Sequence, residues 1–303
     1  MTGAASLRLR AREMGVVIGA LPTGPLNALT DVTDVRVGHS TLIEGESIRT
    51  GVTVILPHGG DLFADRPPAA IAVGNGYGKL AGLSQVQELG ELESPIALTN
   101  TLSVPEVMAG VRDWMLAQPR AEPIRSLNVV VGETNDGVLN DIRACAVRPD
   151  HARAAIETAV GGPMAEGCVG AGAGVIAFGW KGGLGASSRR LEACGEVYTL
   201  GALVQANFGG QLTLGGAPLW RELAPPPTHA GDGSAMIVVA TDAPLGPGSL
   251  RRLAARALLG LARTGSTMAH GSGDYAIAFS TAASVRRGPD ARLRSSSACE
   301  LPG

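Results

Sequence analysis

Apolar residues along this chain fall into short runs separated by glycine and proline. Gly51-Val-Thr-Val-Ile-Leu56 is continuous and β-branched, and Pro57 and Gly59-Gly60 bound it, which predicts a buried strand. The runs Ala69–Val73, Pro95–Thr99, Leu127–Val131, Val175–Phe178, Val197–Val204, Met236–Thr241 and Tyr275–Ser280 share that character, and Asn27–His39 reads as a turn leading into a strand. Helical spacing shows in Gly82–Leu92 through Leu83, Val86 and Leu89, after Ser103 through Val107, Val111 and Met115, and in Ala152–Val160. Leu250–Arg263 is the clearest helix, with Leu253, Ala257, Leu258 and Leu261 on one face. Ser103, with Pro105 close behind and Glu106 three residues on, predicts a capped helix start. Strands come in neighbouring pairs with helices between the pairs, which points to an α+β fold of helices on stacked sheets and not to strict βαβ alternation. No repeat or Ser/Gly linker divides the sequence, so residues 1–303 read as one domain. Residues 1–20 read as a polar arm and the stretch from Arg286 as a loose tail.

Composition narrows the function classes. Hydrophobic residues make up 45% of the chain, enough for a sizeable core, but aromatics only 3%, so Ala, Val, Leu and Ile must fill it. A net charge of −2 argues against a nucleic-acid or anionic-membrane partner. No leader-like stretch and no run of 18 apolar residues occurs, so the expected location is cytoplasmic. The four cysteines form no C-x-x-C pair and read as small buried hydrophobes in a reducing compartment. The five histidines show no metal-ligand spacing, so neither metal nor cofactor is expected.

Several short motifs can carry chemistry, and each has a plainer reading beside it. Gly167-Cys-Val-Gly170-Ala-Gly172-Ala-Gly174 suggests a dinucleotide loop, but a strand and not a helix follows, so a close-packed glycine turn fits better. Gly231-Asp232-Gly233-Ser234 before the most apolar strand is either a β-turn or a self-cleavage site. In the second case the Ser234 hydroxyl attacks the Gly233 carbonyl, and the freed α-amine then serves as the base of its own nucleophile. Asn207, ahead of Phe208-Gly209-Gly210, can donate to an oxyanion or brace a turn. Ser272 and Asp274 can relay a proton at a strand entry or simply form a turn. Glu133, in Gly132-Glu133-Thr134-Asn135, can anchor a substrate amine or be a solvated loop charge.

Together these segments resemble the self-processing aminopeptidases of the L-aminopeptidase/D-esterase (DmpA) type, a family that includes the β-peptidyl aminopeptidases. The matching blocks run from Gly24-Pro-Leu-Asn27-Ala-Leu-Thr-Asp31 and Val37-Gly-His39 through Arg49–Pro57, Leu98-Thr-Asn100-Thr-Leu-Ser103 and Val131-Gly-Glu133-Thr-Asn-Asp136-Gly. They continue through Gly170–Gly174, Lys181–Arg189, Val204-Gln-Ala-Asn207-Phe-Gly-Gly, Gly231–Ser234 and Gly271-Ser-Gly-Asp274-Tyr-Ala-Ile-Ala-Phe-Ser. The order of the blocks carries the match more than any one of them.

The resemblance implies a four-layer αββα sandwich like that of the N-terminal-nucleophile hydrolases. It implies a precursor cut between Gly233 and Ser234 into 1–233 and 234–303, and a homotetramer of such pairs. Ser234 would be the nucleophile, Asn207 the oxyanion donor, Ser272 and Asp274 the pair that orients Ser234, and Glu133 the holder of the substrate's amine. Substrates would be small peptides, amino-acid amides or esters with a free amine, with β-peptides and oligoamides as alternatives, or an unprocessed homologue would be non-catalytic. Asn135 is a departure, since some members carry Tyr at the matching position beside the substrate.

Overall fold

The structure, a computed structural model, describes residues 9–120, 123–224 and 233–288. In chain order the elements are β1 (Arg36–Glu44), β2 (Ile48–Leu56), β3 (Ala69–Gly76), β4 (Leu80–Ala81), α1 (Leu83–Leu89), β5 (Ile96–Asn100), α2 (Val104–Ala117), β6 (Val130–Thr134) and α3 (Pro149–Glu157). Then follow β7 (Ile176–Ala177), β8 (Trp180–Lys181), β9 (Gly183–Ala193), β10 (Glu196–Asn207), β11 (Ser234–Thr241), α4 (Pro247–Arg263) and β12 (Gly273–Ser280).

The long strands form two five-stranded sheets, ordered β1-β2-β5-β6-β4 and β3-β12-β11-β10-β9. Continuous apolar runs became central strands because both of their faces are covered. Every residue of β5, β11 and β12 is buried. Alternation sorts their side chains between two cores. Met236, Val238, Ala240, Tyr275, Ile277 and Phe279 face Ile55, Ile96 and Leu98 across the space between the sheets. Ala235, Ile237, Val239, Ala276 and Ala278 face the other way, onto Leu250, Ala254, Leu258 and Leu261 of α4. On the outer side of the first sheet, Val52, Val54 and Val131 meet Val107, Val111 and Met115 of α2 and Ala152, Ala155 and Ile156 of α3. The layers therefore run helix, sheet, sheet, helix, as expected. Each fully buried Val, Leu, Ile or Phe of these layers contributes about 1.5–3 kcal/mol relative to exposure. The sheets approach closely where Gly132 leaves room for Met236, since a Cβ on Gly132 would lie 2.8 Å from its Sδ.

Five local expectations change. Gly183–Ala193 carries no apolar run yet forms the edge strand β9, held by its eleven-residue antiparallel pairing with β10. Ser103 makes no side-chain cap bond; the Asn100 Oδ1 instead accepts the Leu102 and Ser103 N–H groups at the start of α2. The predicted strand Leu127–Val131 begins only at Val130, and Val175–Phe178 shrinks to the two residues of β7. The supposed loose tail begins with an anchor: Arg286 is buried, and Arg287 exchanges two backbone hydrogen bonds with Arg66. Residues from 289 on, like residues 1–8, lie outside the described residues. The glycine-rich run closes as a tight turn at Gly170–Gly172 and enters β7 directly, so no helix start faces a nucleotide phosphate there. Among the described residues no helix is long and apolar enough to cross a membrane.

Candidate active site

Three segments singled out in the sequence meet at one end of the second sheet. Asn207 closes β10, Ser234 opens β11 and Gly273 opens β12; Ser234 lies opposite Asn207 in the antiparallel ladder and opposite Gly273 in the parallel one. Ser234 shares strand parity with Met236, and Asn207 with Leu203, so both occupy the face of the sheet that looks toward the first sheet. The Ser234 hydroxyl oxygen is buried and accepts a 3.1 Å hydrogen bond from the Gly273 N–H. Gly233 must be glycine here, because a Cβ would overlap the Asn207 carbonyl oxygen and the Phe208 Cα. Gly231 and Asp232, the first half of that motif, lie outside the described residues.

Asn207 is held from both ends of its amide. Its Oδ1 accepts the Ile176 N–H at 3.0 Å and its Nδ2 donates to the Asn135 carbonyl at 2.9 Å. One Nδ2 hydrogen is thus committed and the second is not required by that bond. Asn135 contributes through its main chain: its exposed side chain turns back to accept the Gly137 N–H at 2.9 Å. The local role of position 135 toward Asn207 therefore does not depend on the side chain.

Ser272 and Asp274 flank Gly273 at the same end. The Asn75 amide pins the turn before them, reaching the carbonyls of Ala269 at 3.1 Å, His270 at 2.8 Å and Ser272 at 2.5 Å. Asp274 lies opposite Ala235 in the ladder and is fully buried, with neither carboxyl oxygen in a well-formed hydrogen bond. Burial raises its pKa above the usual carboxylate value, and the looser approaches of the Ser272 hydroxyl and the Ala235 N–H only oppose the shift. A carboxyl beside the first peptide of β11, with a proton affinity above the ordinary, suits a group that exchanges protons with a neighbouring hydroxyl or amine.

Glu133, in β6 of the first sheet, is 1% exposed, so it is no solvated loop charge. Its Oε1 accepts the Lys79 backbone N–H at 2.8 Å, and its Oε2 accepts the Thr101 hydroxyl. The Lys79 ammonium stands 3.8 Å from Oε1. Gly78 lies between this carboxylate and the start of β12: a Cβ on Gly78 would meet Gly273 Cα at 2.9 Å and Glu133 Oε1 at 3.0 Å. The Tyr275 hydroxyl fixes that loop by donating to the Gly78 carbonyl at 2.7 Å. Burial, then the charges of Glu133 and Asp274, raise the Tyr275 pKa, so it remains a donor. Lys79, Thr101, Gly78, Tyr275 and Asn75 escaped the sequence reading. The available signal was Gly76-Tyr-Gly-Lys79, where one of the chain's two lysines follows two glycines directly after a strand.

The structure thus brings Ser234, Asn207, Ser272 and Asp274 to one sheet end, with Asp274 on the α4 face of the sheet and Ser234 and Asn207 on the other, and places Glu133 across Gly78. Among the described residues no group of His, Cys, Asp and Glu is arranged to hold a metal ion. A cavity of about 340 Å³ lies elsewhere, between the end of β2, α2 and α3, around His58, Trp114 and the Arg120–Asp61 pair, and none of these candidate residues lines it.

The sequence matches peptidase family S58 over residues 27–301. It is 43% identical to the β-peptidyl aminopeptidase BapA of Sphingosinicella microcystinivorans, over 93% of this chain and 77% of that protein. Among solved structures, a protein of Pyrococcus horikoshii OT3 superposes with a TM-score of 0.89 at 43% identity, covering 96% of this chain and 84% of that one. The L-aminopeptidase D-Ala-esterase/amidase of Ochrobactrum anthropi, described as a prototype serine aminopeptidase with a variant of the Ntn hydrolase fold, superposes with a TM-score of 0.87 at 36% identity, with the same coverage.

Proposed function

This chain belongs to peptidase family S58 and is a hydrolase; from that premise we propose that it cuts itself between Gly233 and Ser234 and then acts as an N-terminal serine aminopeptidase. The observation that carries the reading is the meeting of Ser234, Asn207 and Gly273 at one sheet end, directly after a glycine that no larger residue can replace.

In self-processing, the Ser234 oxygen attacks the Gly233 carbonyl carbon and the peptide nitrogen leaves as the Ser234 α-amine. Water then hydrolyses the ester, leaving a carboxylate on Gly233. In turnover, that amine takes the hydroxyl proton as Ser234 attacks the first carbonyl of a peptide, amide or ester. The second Nδ2 hydrogen of Asn207 is donated to the oxyanion. The amine passes the proton to the leaving group, and water releases the acyl product. Ser272 and Asp274 orient the hydroxyl and amine, and Glu133, already buried and negatively charged, binds the substrate's own free amine. Two units, 1–233 and 234–303, remain joined in one αββα sandwich and assemble as a tetramer of such pairs in the cytoplasm, where the free Cys145, Cys168 and Cys194 stay reduced. Identity of 43% and 42% to two β-peptidyl aminopeptidases favours β-amino-acid amides as the second substrate reading.

Intact mass and N-terminal sequencing test this directly. Two fragments, the smaller beginning at Ser234, are expected from the wild type, and a single 30.7 kDa chain without turnover of amino-acid anilides from Ser234→Ala. A wild-type chain that stays whole after long incubation would favour a non-catalytic homologue, and an active Ser234→Ala would remove the nucleophile assignment.

A further inference from the structure

The free amine expected of the substrate has a chemical twin within the protein. Lys79 places its ammonium 3.8 Å from Glu133 Oε1, and Thr101 already occupies Oε2. The Lys79 side chain is 57% exposed while that of Glu133 is 2% exposed, so the cation reaches in from solvent to a charge that the fold has enclosed. The loop does not need that reach. Its backbone is held to the same oxygen by the Lys79 N–H at 2.8 Å and to Tyr275 through the Gly78 carbonyl. The chain's other lysine has a structural task, with its ammonium donating to the carbonyls of Gly172, Val175 and Gly182. Lys79 pairs with the one buried carboxylate assigned to the substrate.

We propose that the Lys79 ammonium is a built-in competitor for the substrate amine on Glu133, displaced toward solvent when a substrate binds, and that it sets substrate affinity without entering the bond-breaking steps. The inference rests on the reading of Glu133 as the amine anchor. Oε1 already accepts the Lys79 backbone N–H and Oε2 the Thr101 hydroxyl, so a substrate amine docking on Oε1 takes the place of the Lys79 ammonium. An exposed lysine gives up such a contact at little free energy, so the effect is modest.

The test compares Lys79→Met with Lys79→Arg in the processed enzyme, using an amino-acid anilide as substrate and n-butylamine as a competitive inhibitor. Lys79→Met is expected to lower both KM and the amine's inhibition constant about two- to fivefold, with kcat held, and Lys79→Arg to restore the wild-type values. An N-acetylated substrate analogue, which has no cation, should bind wild type and Lys79→Met alike. An unchanged or higher KM in Lys79→Met, or an equal shift for the acetylated analogue, would overturn the inference. Glu133→Gln separates the two levels of the argument. If it raises KM while Lys79→Met does nothing, only the competitor role fails; if it leaves KM unchanged, the anchor reading fails with it.

Discussion

A buried carboxyl group without a well-formed hydrogen bond destabilises a fold whenever it is charged. Asp274 is such a group, and its burial raises its pKa. Because the folded value lies above the ordinary 3.8, the penalty is absent below that pH, grows as pH rises toward the folded pKa and is constant above it. Asp274→Asn should therefore melt at a higher temperature than wild type at pH 8, with the gap closing as pH falls into the acid range, and should process and turn over more slowly. Equal melting points across that range would show that the charge is not felt by the fold. Asn207→Ala should lower kcat by about 10²–10³, the usual loss for an oxyanion donor, measured after confirming the native far-UV spectrum. At this scale the sequence reading found the polar groups whose neighbours in sequence form a motif. Lys79 stands outside every matching block, and Thr101 stands inside the Leu98–Ser103 block with no role of its own; they reach Glu133 across 54 and 32 residues, and only the folded sheets bring them there. Asn135 was flagged for its side chain, yet it matters to Asn207 through a carbonyl that every residue type has.

Among the elements, burial decided what could be read. β11 and β12 are apolar on both faces and announce themselves, as does α4 with its single apolar stripe. β9 is an edge strand with half-exposed, charged residues, so nothing in Gly183–Ala193 distinguishes it from a loop until β10 pairs with it. The start of β12 matters as much as its core. A Cβ on Gly273 would lie 2.6 Å from Gly78 Cα, so Gly273→Ala must push the Gly78–Lys79 loop off Glu133. The expected result is a loss of about 1–3 kcal/mol in chemical denaturation, together with a raised KM. A variant with wild-type stability and KM would mean that the two backbones do not press on each other as described.

Across the whole molecule, the resemblance carried by widely spaced blocks identified the four-layer sandwich that periodicity alone left as stacked sheets with helices. It gave no hint of the charge cluster that ties the end of the described chain to its beginning. Glu91, buried, accepts Arg66 at 2.8 Å and Arg287 at 3.0 Å, while Arg286 reaches Asp65 at 3.1 Å and Asp34 at 3.4 Å. Removing the shared carboxylate in Glu91→Ala leaves Arg66 with Glu93, 3.4 Å away, as its remaining carboxylate partner, and should lower stability by about 2–4 kcal/mol by denaturant titration. Glu91→Gln, which keeps an acceptor, should recover part of that loss.

The order β3-β12-β11-β10-β9 places the two strands that follow Ser234 in the middle of a sheet whose flanks come from residues before it. Residues from Ser234 on supply only the central β11 and β12 of that sheet and residues before the cut only its flanks, so the second sheet forms only when the two fragments meet. Self-processing would then change the reaction order of folding itself. The uncut Ser234→Ala chain should renature at a rate independent of its concentration. The processed protein, once unfolded, should return only as fast as two different polypeptides can find one another, so that dilution slows its recovery and mixing in excess of either fragment hastens it.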